Sequence, residues 1–165
     1  MAPYLSNYMI KDIEFREATQ EDLPEITAIF RDTIRSVNSN DYSEEQIEVW
    51  SSGADKIKKW QERIKKFYFL VAEIDHQIVG FSYLKDGNYL DGLFVHKDFQ
   101  RQAIASKLLR IMESRVSLNG FDVIKSDVSI TALPFFDSHF YEVEKKQKKS
   151  LKGLVFENYI VYKEL

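Results

Sequence analysis

The chain changes its hydrophobic period several times, and each change marks an element. Ile13 and Phe15 alternate with Glu14 and Arg16, which predicts a half-buried opening strand. Asp22-Leu-Pro-Glu25 then reads as a helix start, with Asp22 as cap and Glu25 reaching back. Leu23, Ile26, Ile29, Phe30, Ile34 and Val37 recur at helical spacing, so this helix should run to about residue 37. Ser43-Glu-Glu-Gln46 is a second capping box, opening a short helix that carries Ile47 and Trp50. Asp55 is expected to start a third helical segment, with Ile57, Trp60 and Ile64 on one side.

From residue 67 the texture is that of strands. Phe67–Ile74, Ile78–Leu84 and Tyr89–Val95 are rich in β-formers and are separated by the turn signals Asp75-His-Gln77 and Asp86-Gly-Asn88. They predict an antiparallel meander. Ile104, Leu108, Ile111 and Met112 mark a further amphipathic helix that ends near Asn119-Gly120. A strand from Phe121 to Ile130, a short helix from Pro134 to His139 and a hairpin of Tyr141–Lys148 with Leu154–Tyr162 complete the pattern. The expectation is a mixed α/β (α+β) fold in a single domain over residues 1–165, with 1–11 as an N-terminal tail.

Composition narrows the classes of function. The chain has 165 residues, 44% of them hydrophobic and 14% aromatic, which suits a folded domain rather than a disordered segment. It has no cysteine, so disulfides, thiolate catalysis and cysteine metal sites are excluded. His76, His96 and His139 show no ligand spacing, and no metal is expected. No apolar run approaches the roughly 20 residues that cross a bilayer, and the first residues lack the form of a secretory signal. A formal charge of −3 lacks the footprint of general nucleic-acid binding. A cytoplasmic protein without membrane or nucleic-acid partners is the expectation. Lys145, Lys146, Lys148, Lys149 and Lys152 form one local basic cluster, read as a solvated strand edge in preference to a phosphate-attracting patch.

Chemistry concentrates between Leu90 and Val116. There a strand passes through a short polar loop, Gln100-Arg-Gln-Ala-Ile-Ala-Ser106, into a helix N-terminus. The first turn of a helix has free N–H groups and a partial positive charge, which suit a phosphate. Ala103, Ala105 and Ser106 are small enough to let a bulky diphosphate approach. The same spacing also fits an ordinary strand-to-helix connection.

Gln100-Arg-Gln-Ala103-Ile-Ala105, preceded by Leu93-Phe-Val-His-Lys-Asp-Phe99, resembles the hallmark Gln/Arg-x-x-Gly-x-Gly/Ala of the GNAT superfamily of N-acetyltransferases. Element order extends the resemblance over nearly the whole chain, and Tyr42-Ser-Glu-Glu-Gln-Ile-Glu-Val-Trp50 resembles a bacterial branch of that family. The resemblance implies a mostly antiparallel central sheet of about seven strands flanked by helices. It also implies acetyl-coenzyme A as co-substrate and an amine as acceptor, with the pantetheine arm on the backbone of Phe94 and Val95. The diphosphate would sit on the amides of Arg101, Gln102, Ala103, Ile104, Ala105 and Ser106, with Gln100 a further cofactor-binding residue. Family members are often dimers, so a homodimer is a further expectation. Ala103 departs from the family glycine. Either it is strained at a positive φ, or it is helical and its methyl only crowds the cofactor; the helix start favours the second.

By the same resemblance, a carboxylate on the fourth strand is the general base, which points to Asp91, with Tyr89 two residues earlier on the same face. A structural hydrogen-bonding role for Asp91 is the alternative. The usual tyrosine acid falls at Phe136, which has no proton to give. His139, Tyr141 and Tyr83 are substitutes that each read better as structural, protonation of the thiolate by solvent is the other alternative, and the acid is unassigned. Tyr42, Trp50, Tyr83 and Tyr89 are candidates for the acceptor site, with Trp60 a further aromatic near the same mouth. Two broader readings stand beside an enzyme: a coenzyme A-binding module without turnover, and a purely structural domain.

Overall fold

A computed structural model describes residues 12–165. The expected N-terminal tail, residues 1–11, lies outside the described residues. Seven strands form one sheet in the order β1-β2-β3-β4-β5-β7-β6. They are β1 (Glu14–Glu17), β2 (Tyr68–Ile74), β3 (Gln77–Lys85), β4 (Tyr89–Val95), β5 (Val123–Ser129), β6 (Glu142–Leu151) and β7 (Leu154–Glu164). The helices are α1 (Leu23–Val37), α2 (Glu44–Ser51), α3 (Ile57–Lys66), α4 (Ile104–Leu118) and α5 (Leu133–Ser138). Every expected element is present, and every strand pairing is antiparallel except β4 with β5.

The turns form for the reasons the residues suggest. Asp75 and His76 both take positive φ, 50° and 65°, which matches the right-handed twist of the strands they join. The expected box at Ser43 closes, with Gln46 N–H donating to Ser43 Oγ at 3.1 Å and Ser43 N–H donating to Gln46 Oε1 at 2.8 Å. Two helix starts differ from expectation. Asp22 does not cap α1 with Glu25; its carboxylate instead accepts from Thr19 N–H at 2.7 Å, and a short 3-10 turn, Gln20–Asp22, precedes the helix. Glu25 is drawn away to accept from Ile78 N–H at 3.2 Å. Asp55 ends a 3-10 turn, Ser52–Asp55, and α3 begins two residues later, at Ile57, without a side-chain cap.

The sheet separates two cores. On one face α4 packs through Ile104, Leu108, Met112 and Val116 against Leu90, Val95 and Ile124. Gly80 lets α4 come this close, since a Cβ there would lie 3.2 Å from Ile104 Cγ2 and 3.0 Å from the Phe94 carbonyl. On the other face α1 and α3 cover an aromatic ladder. Phe69 pairs with Tyr83 across β2 and β3, and Phe81 with Phe94 across β3 and β4. Their rings stack at centroid distances of 4.8 and 5.2 Å. Each such pair contributes about 0.5–1.5 kcal/mol beyond burial. Trp60 is fully buried over the ladder, edge-on to Phe81, and its indole N–H donates to the Gly53 carbonyl at 3.0 Å.

Arg16 ties β1 to the start of α1 by donating to both oxygens of buried Asp22 at 2.8 Å. That guanidinium holds the Asp22 carboxyl below its ordinary value. A carboxylate depressed on folding contributes stability above its unfolded pKa of about 4, and that contribution is lost as pH falls through the depressed value. Asp22→Asn should therefore cost about 1–2 kcal/mol at pH 7 in urea unfolding. The gap between the two proteins should narrow as pH drops below about 4. A constant gap across that range would place the loss in packing rather than in the ion pair.

Candidate active site

The register of β3 with β4 slips between Tyr83, opposite Gly92, and Leu84, opposite Leu90, leaving Asp91 as an extra residue. A bulge of this kind bends its strand and re-aims its side chains. The Tyr83 ring lies directly over Gly92, where a Cβ would fall 2.2 Å from Tyr83 Cε1, so only glycine fits beneath it. β4 meets β5 at two parallel pairs, Tyr89 with Lys125 and Leu90 with Ser126, and the strands then part. Ser126 Oγ–H donates to the Leu90 carbonyl at 2.7 Å at the fork. The gap beyond is a cleft of about 270 Å³, with Gly92–Val95 on one wall and Asp127–Ser129, Phe135 and Phe136 on the other.

At its far end the cleft reaches the loop before α4. Gln100 Nε2 donates to the Val95 carbonyl at 2.7 Å, and Thr33 Oγ1 donates to the same oxygen at 3.0 Å. Arg101 and Ala103 both adopt left-handed backbone, at φ 60° and 62°, with Ala103 as the residue capping α4. The helical φ expected for Ala103 is thus corrected. Ala103 precedes the first helical residue, and the cap carries the reversal that the family glycine supplies. Among the described residues, the amides from Arg101 to Ser106 donate to no protein acceptor. Successive free amides beside left-handed residues form a concave, electropositive nest. The nest, the small Ala105 and the cleft together have the form needed to hold a diphosphate and the chain attached to it.

A second cavity, about 420 Å³, opens between α1, α2, α3 and the β6–β7 hairpin. Phe30, Tyr42, Trp50, Tyr83, Phe94 and Phe156 supply its aromatic walls. Asp91, Phe94, Trp50, Asp127 and Ser129 line both spaces, so the two meet at the bulge. Asp91 is accessible through the cavity, yet the surrounding walls desolvate it enough to raise its pKa, against the opposing pull of Arg63, Lys85 and Lys149. Asp127 behaves oppositely. Burial pushes its carboxyl up, but hydrogen bonds from Lys149 Nζ and Tyr89 Oη–H outweigh this and hold it low. Burial raises Tyr83 well above an ordinary phenol. Two carboxylates with opposite shifts therefore share one chamber, and such divergence is common where acid–base roles are divided.

The candidates from sequence fall into separate groups. Phe94, Val95, Gln100 and Ala105 line the cleft. The side chains of Arg101, Gln102, Ala103 and Ser106 lie outside that lining, and the Ile104 side chain is buried in the core, so from these residues the backbone is what faces a ligand. Tyr42, Trp50 and Tyr83 line the larger cavity, whereas Trp60 is core. Tyr89 lines neither space and reaches the chamber only through its bond to Asp127. Phe136 is buried at the cleft wall. His139 bonds Ser106 Oγ at 2.9 Å through Nε2, and the Tyr141 hydroxyl donates to Glu113 at 3.0 Å, so both are engaged elsewhere. Asp127, Lys149 and Arg63 were not anticipated. On β5, Lys125, Asp127 and Ser129 alternate with Ile124, Ser126 and Val128 and read as a solvent face; the parting of β4 and β5 makes that face the chamber wall.

Two substitutions check this geometry. Gly92→Ala must displace the Tyr83 ring and should cost about 1–3 kcal/mol in urea unfolding; a loss below about 0.5 kcal/mol would show that the ring yields freely. In Ala103→Gly, release of about 1 kcal/mol of left-handed strain opposes a similar gain in unfolded-chain entropy, so stability should stay within about 0.5 kcal/mol of the parent. A loss of about 1 kcal/mol, the cost of glycine at a helical position, would contradict the left-handed cap.

Comparison with known proteins agrees with this fold. A family model described as an acetyltransferase (GNAT) domain matches residues 38–162. The chain is 32% identical over 156 residues to YafP of Escherichia coli, an uncharacterized N-acetyltransferase, covering 93% of this chain and 98% of that protein. Among solved structures, a GCN5-related N-acetyltransferase from Rhodopseudomonas palustris superposes with a TM-score of 0.91 at 30% identity, covering 96% of this chain and 99% of its own. PaiA N-acetyltransferase from Thermoplasma acidophilum, solved in complex with coenzyme A, shares the fold with a TM-score of 0.77 at 21% identity, covering 93% and 99% of the two chains. With its bulged fourth strand, its parted sheet and its amide-lined helix start, the chain belongs to the GNAT family of acetyltransferases.

Proposed function

We propose that the protein transfers the acetyl group of acetyl-coenzyme A to a primary amine, with Asp91 as the general base. The observation that carries this reading is the junction of the two spaces at Asp91: a cleft ending in six free amides on one side, an aromatic chamber on the other. Coenzyme A bound to the Thermoplasma protein supports the choice of cofactor. Acetyl-coenzyme A supplies an acyl group already activated as a thioester. Backbone amides from Arg101 to Ser106 hold its diphosphate, and the open edge of β4 at Phe94 and Val95 guides the pantetheine arm toward Asp91.

The acceptor enters from the chamber. Most amines are protonated near neutral pH, and a carboxylate with a raised pKa is suited to take the proton, directly or through water. Asp127, held anionic by Lys149 and Tyr89, keeps the chamber favourable to a cation without competing for the proton. Among the described residues, no tyrosine or histidine lines the cofactor cleft. A thiol with a pKa near 8.5 leaves as its thiolate at modest cost, so water is a sufficient proton source for this step. A module that holds coenzyme A without turnover is the competing reading. It rests on Phe136, which is buried where the family acid falls.

Turnover across a panel of primary amines separates the two readings: amine-dependent thioester cleavage supports transfer, and cofactor binding without cleavage supports the module. Because Asp91 acts only when deprotonated and its pKa is raised, kcat/KM should fall as pH drops, with a midpoint above the ordinary aspartate value of about 4. Asp91→Asn should lower kcat by about 10-fold or more, remove this acidic limb and leave cofactor affinity nearly unchanged. A variant that keeps both the rate and the limb removes Asp91 from the mechanism.

A further inference from the structure

The chamber has more charge than acetyl transfer requires, and that charge is unevenly paired. Lys56, Lys59 and Arg63 line it from α3 and the residue before α3. Their spacing of three and four places them along one face of the helix. Lys56 and Lys59 are exposed, and among the described residues none of the three side chains makes an ion pair or a hydrogen bond. The carboxylates of the chamber are nearly all engaged: Asp127 with Lys149 and Tyr89, and Glu157 with Lys146 at 3.2 Å. Asp91 makes no ion pair or hydrogen bond among the described residues, and Arg63 acts on its charge only from a distance. A chain with a formal charge of −3 thus keeps, among the described residues, three cations without an ion-pair partner at the wall of its cavity of about 420 Å³, against one carboxylate in the same condition.

Arg63 is the most constrained of the three. Its guanidinium carbon stands 4.5 Å from the Trp60 ring centroid and 5.6 Å from that of Tyr83. Trp60 is fully buried and Tyr83 is pinned over Gly92, so Arg63 is braced on rigid rings. The side chain is half-buried, and its N–H fork donates to no acceptor among the described residues. A planar, immobilised guanidinium with an unused fork is suited to bidentate recognition of a carboxylate or phosphate. Tyr83 also bridges this point to the bulge, touching Arg63 at one side and Gly92 at another, so the anion site and Asp91 belong to one chamber.

We infer that the acceptor is an amine that also carries an anionic group, a carboxylate or a phosphate, with the amine toward Asp91 and the anion on Arg63, Lys56 and Lys59. This rests on the acyl-transfer reading above. It also accounts for the polarity of the chamber. A plain polyamine would meet three uncompensated cations on α3, whereas a bipolar acceptor meets opposite charge at both ends.

The test uses the whole protein with acetyl-coenzyme A and three acceptor series that share a ladder of methylene spacers: alkylamines, ω-amino carboxylates and aminoalkyl phosphates. At the best spacer, one anionic series should exceed its alkylamine in kcat/KM by about 10-fold or more, and the better of the two assigns the anion. In Arg63→Gln and in Lys56→Gln/Lys59→Gln that ratio should shrink, to about 2-fold or less when all three are changed. Alkylamines turned over as well as either anionic series, or a ratio that survives the triple change, overturns the proposal. A second measurement separates this failure from failure of acyl transfer. Trp50 lines the chamber and Trp60 lies under Arg63, and they are the only tryptophans, so intrinsic fluorescence reports binding without turnover. If no amine is acetylated, the enzymatic reading fails. Binding of an anionic series about 10-fold tighter than the alkylamine and dependent on Arg63 still upholds the anion site, and equal affinities end it.

Discussion

The parallel contact between β4 and β5 ends after Leu90 and Ser126, where the Asp91 bulge turns β4 away from its neighbour. A sheet that stayed closed here would bury its centre and leave no room for two ligands to meet. The parting strands instead expose strand backbone inside the molecule, next to a helix N-terminus whose first amides are free. The bulge and the capping loop are both held from behind. Tyr83 lies over Gly92, and Thr33 and Gln100 converge on the Val95 carbonyl. The irregular backbone is thus supported by packed rings and buried hydroxyls on both faces of the sheet.

This support explains why the aromatic ladder matters to the site. Phe69, Tyr83, Phe81 and Phe94 run across three strands and end at Phe94, one of the residues that line both cavities. Trp60 seals the ladder from the helix side and supports Arg63 on its outer face. Core packing and charge placement are therefore one arrangement: the rings that stabilise the domain also position the charged groups facing the acceptor chamber. Preorganised charge of this kind needs little rearrangement when a ligand arrives.

Much of the fold could be read from the residues because local signals agreed with the tertiary outcome. The Ser43 capping box, the Asp75-His76 turn and the helical spacing from Leu23 to Val37 each had a single local solution. The seven-strand sheet followed from element order and the family resemblance. Misreadings arose where a distant partner decided. Arg16 from β1 claimed Asp22, and the Ile78 amide claimed Glu25, so the box expected between them never formed. Ala103 is left-handed although helical residues follow at once, because the reversal belongs to the cap rather than to the helix. Asp127 escaped notice because strand alternation separates two faces without saying what covers either; the hairpin that brings Lys149 to it is distant in sequence. The same blindness applies to Arg63, whose environment depends on Trp60 and on Tyr83, which is distant in sequence and on another element.

The carbonyls along β4 have a consequence for how this chain avoids self-association. A strand whose edge is left open is a template for any other strand, most dangerously while the chain is still folding. Here Ser126 occupies the Leu90 carbonyl, Ser82 occupies that of Gly92 at 2.7 Å, and Thr33 with Gln100 occupies that of Val95. At the outer limit of the sheet, β6 carries Lys145, Lys146, Lys148 and Lys149. At the internal edge, two of the acceptors, the Leu90 and Val95 carbonyls, are capped by side chains of the same molecule. A slender ligand can still lie along what remains, but a foreign strand finds part of its register of acceptors already taken.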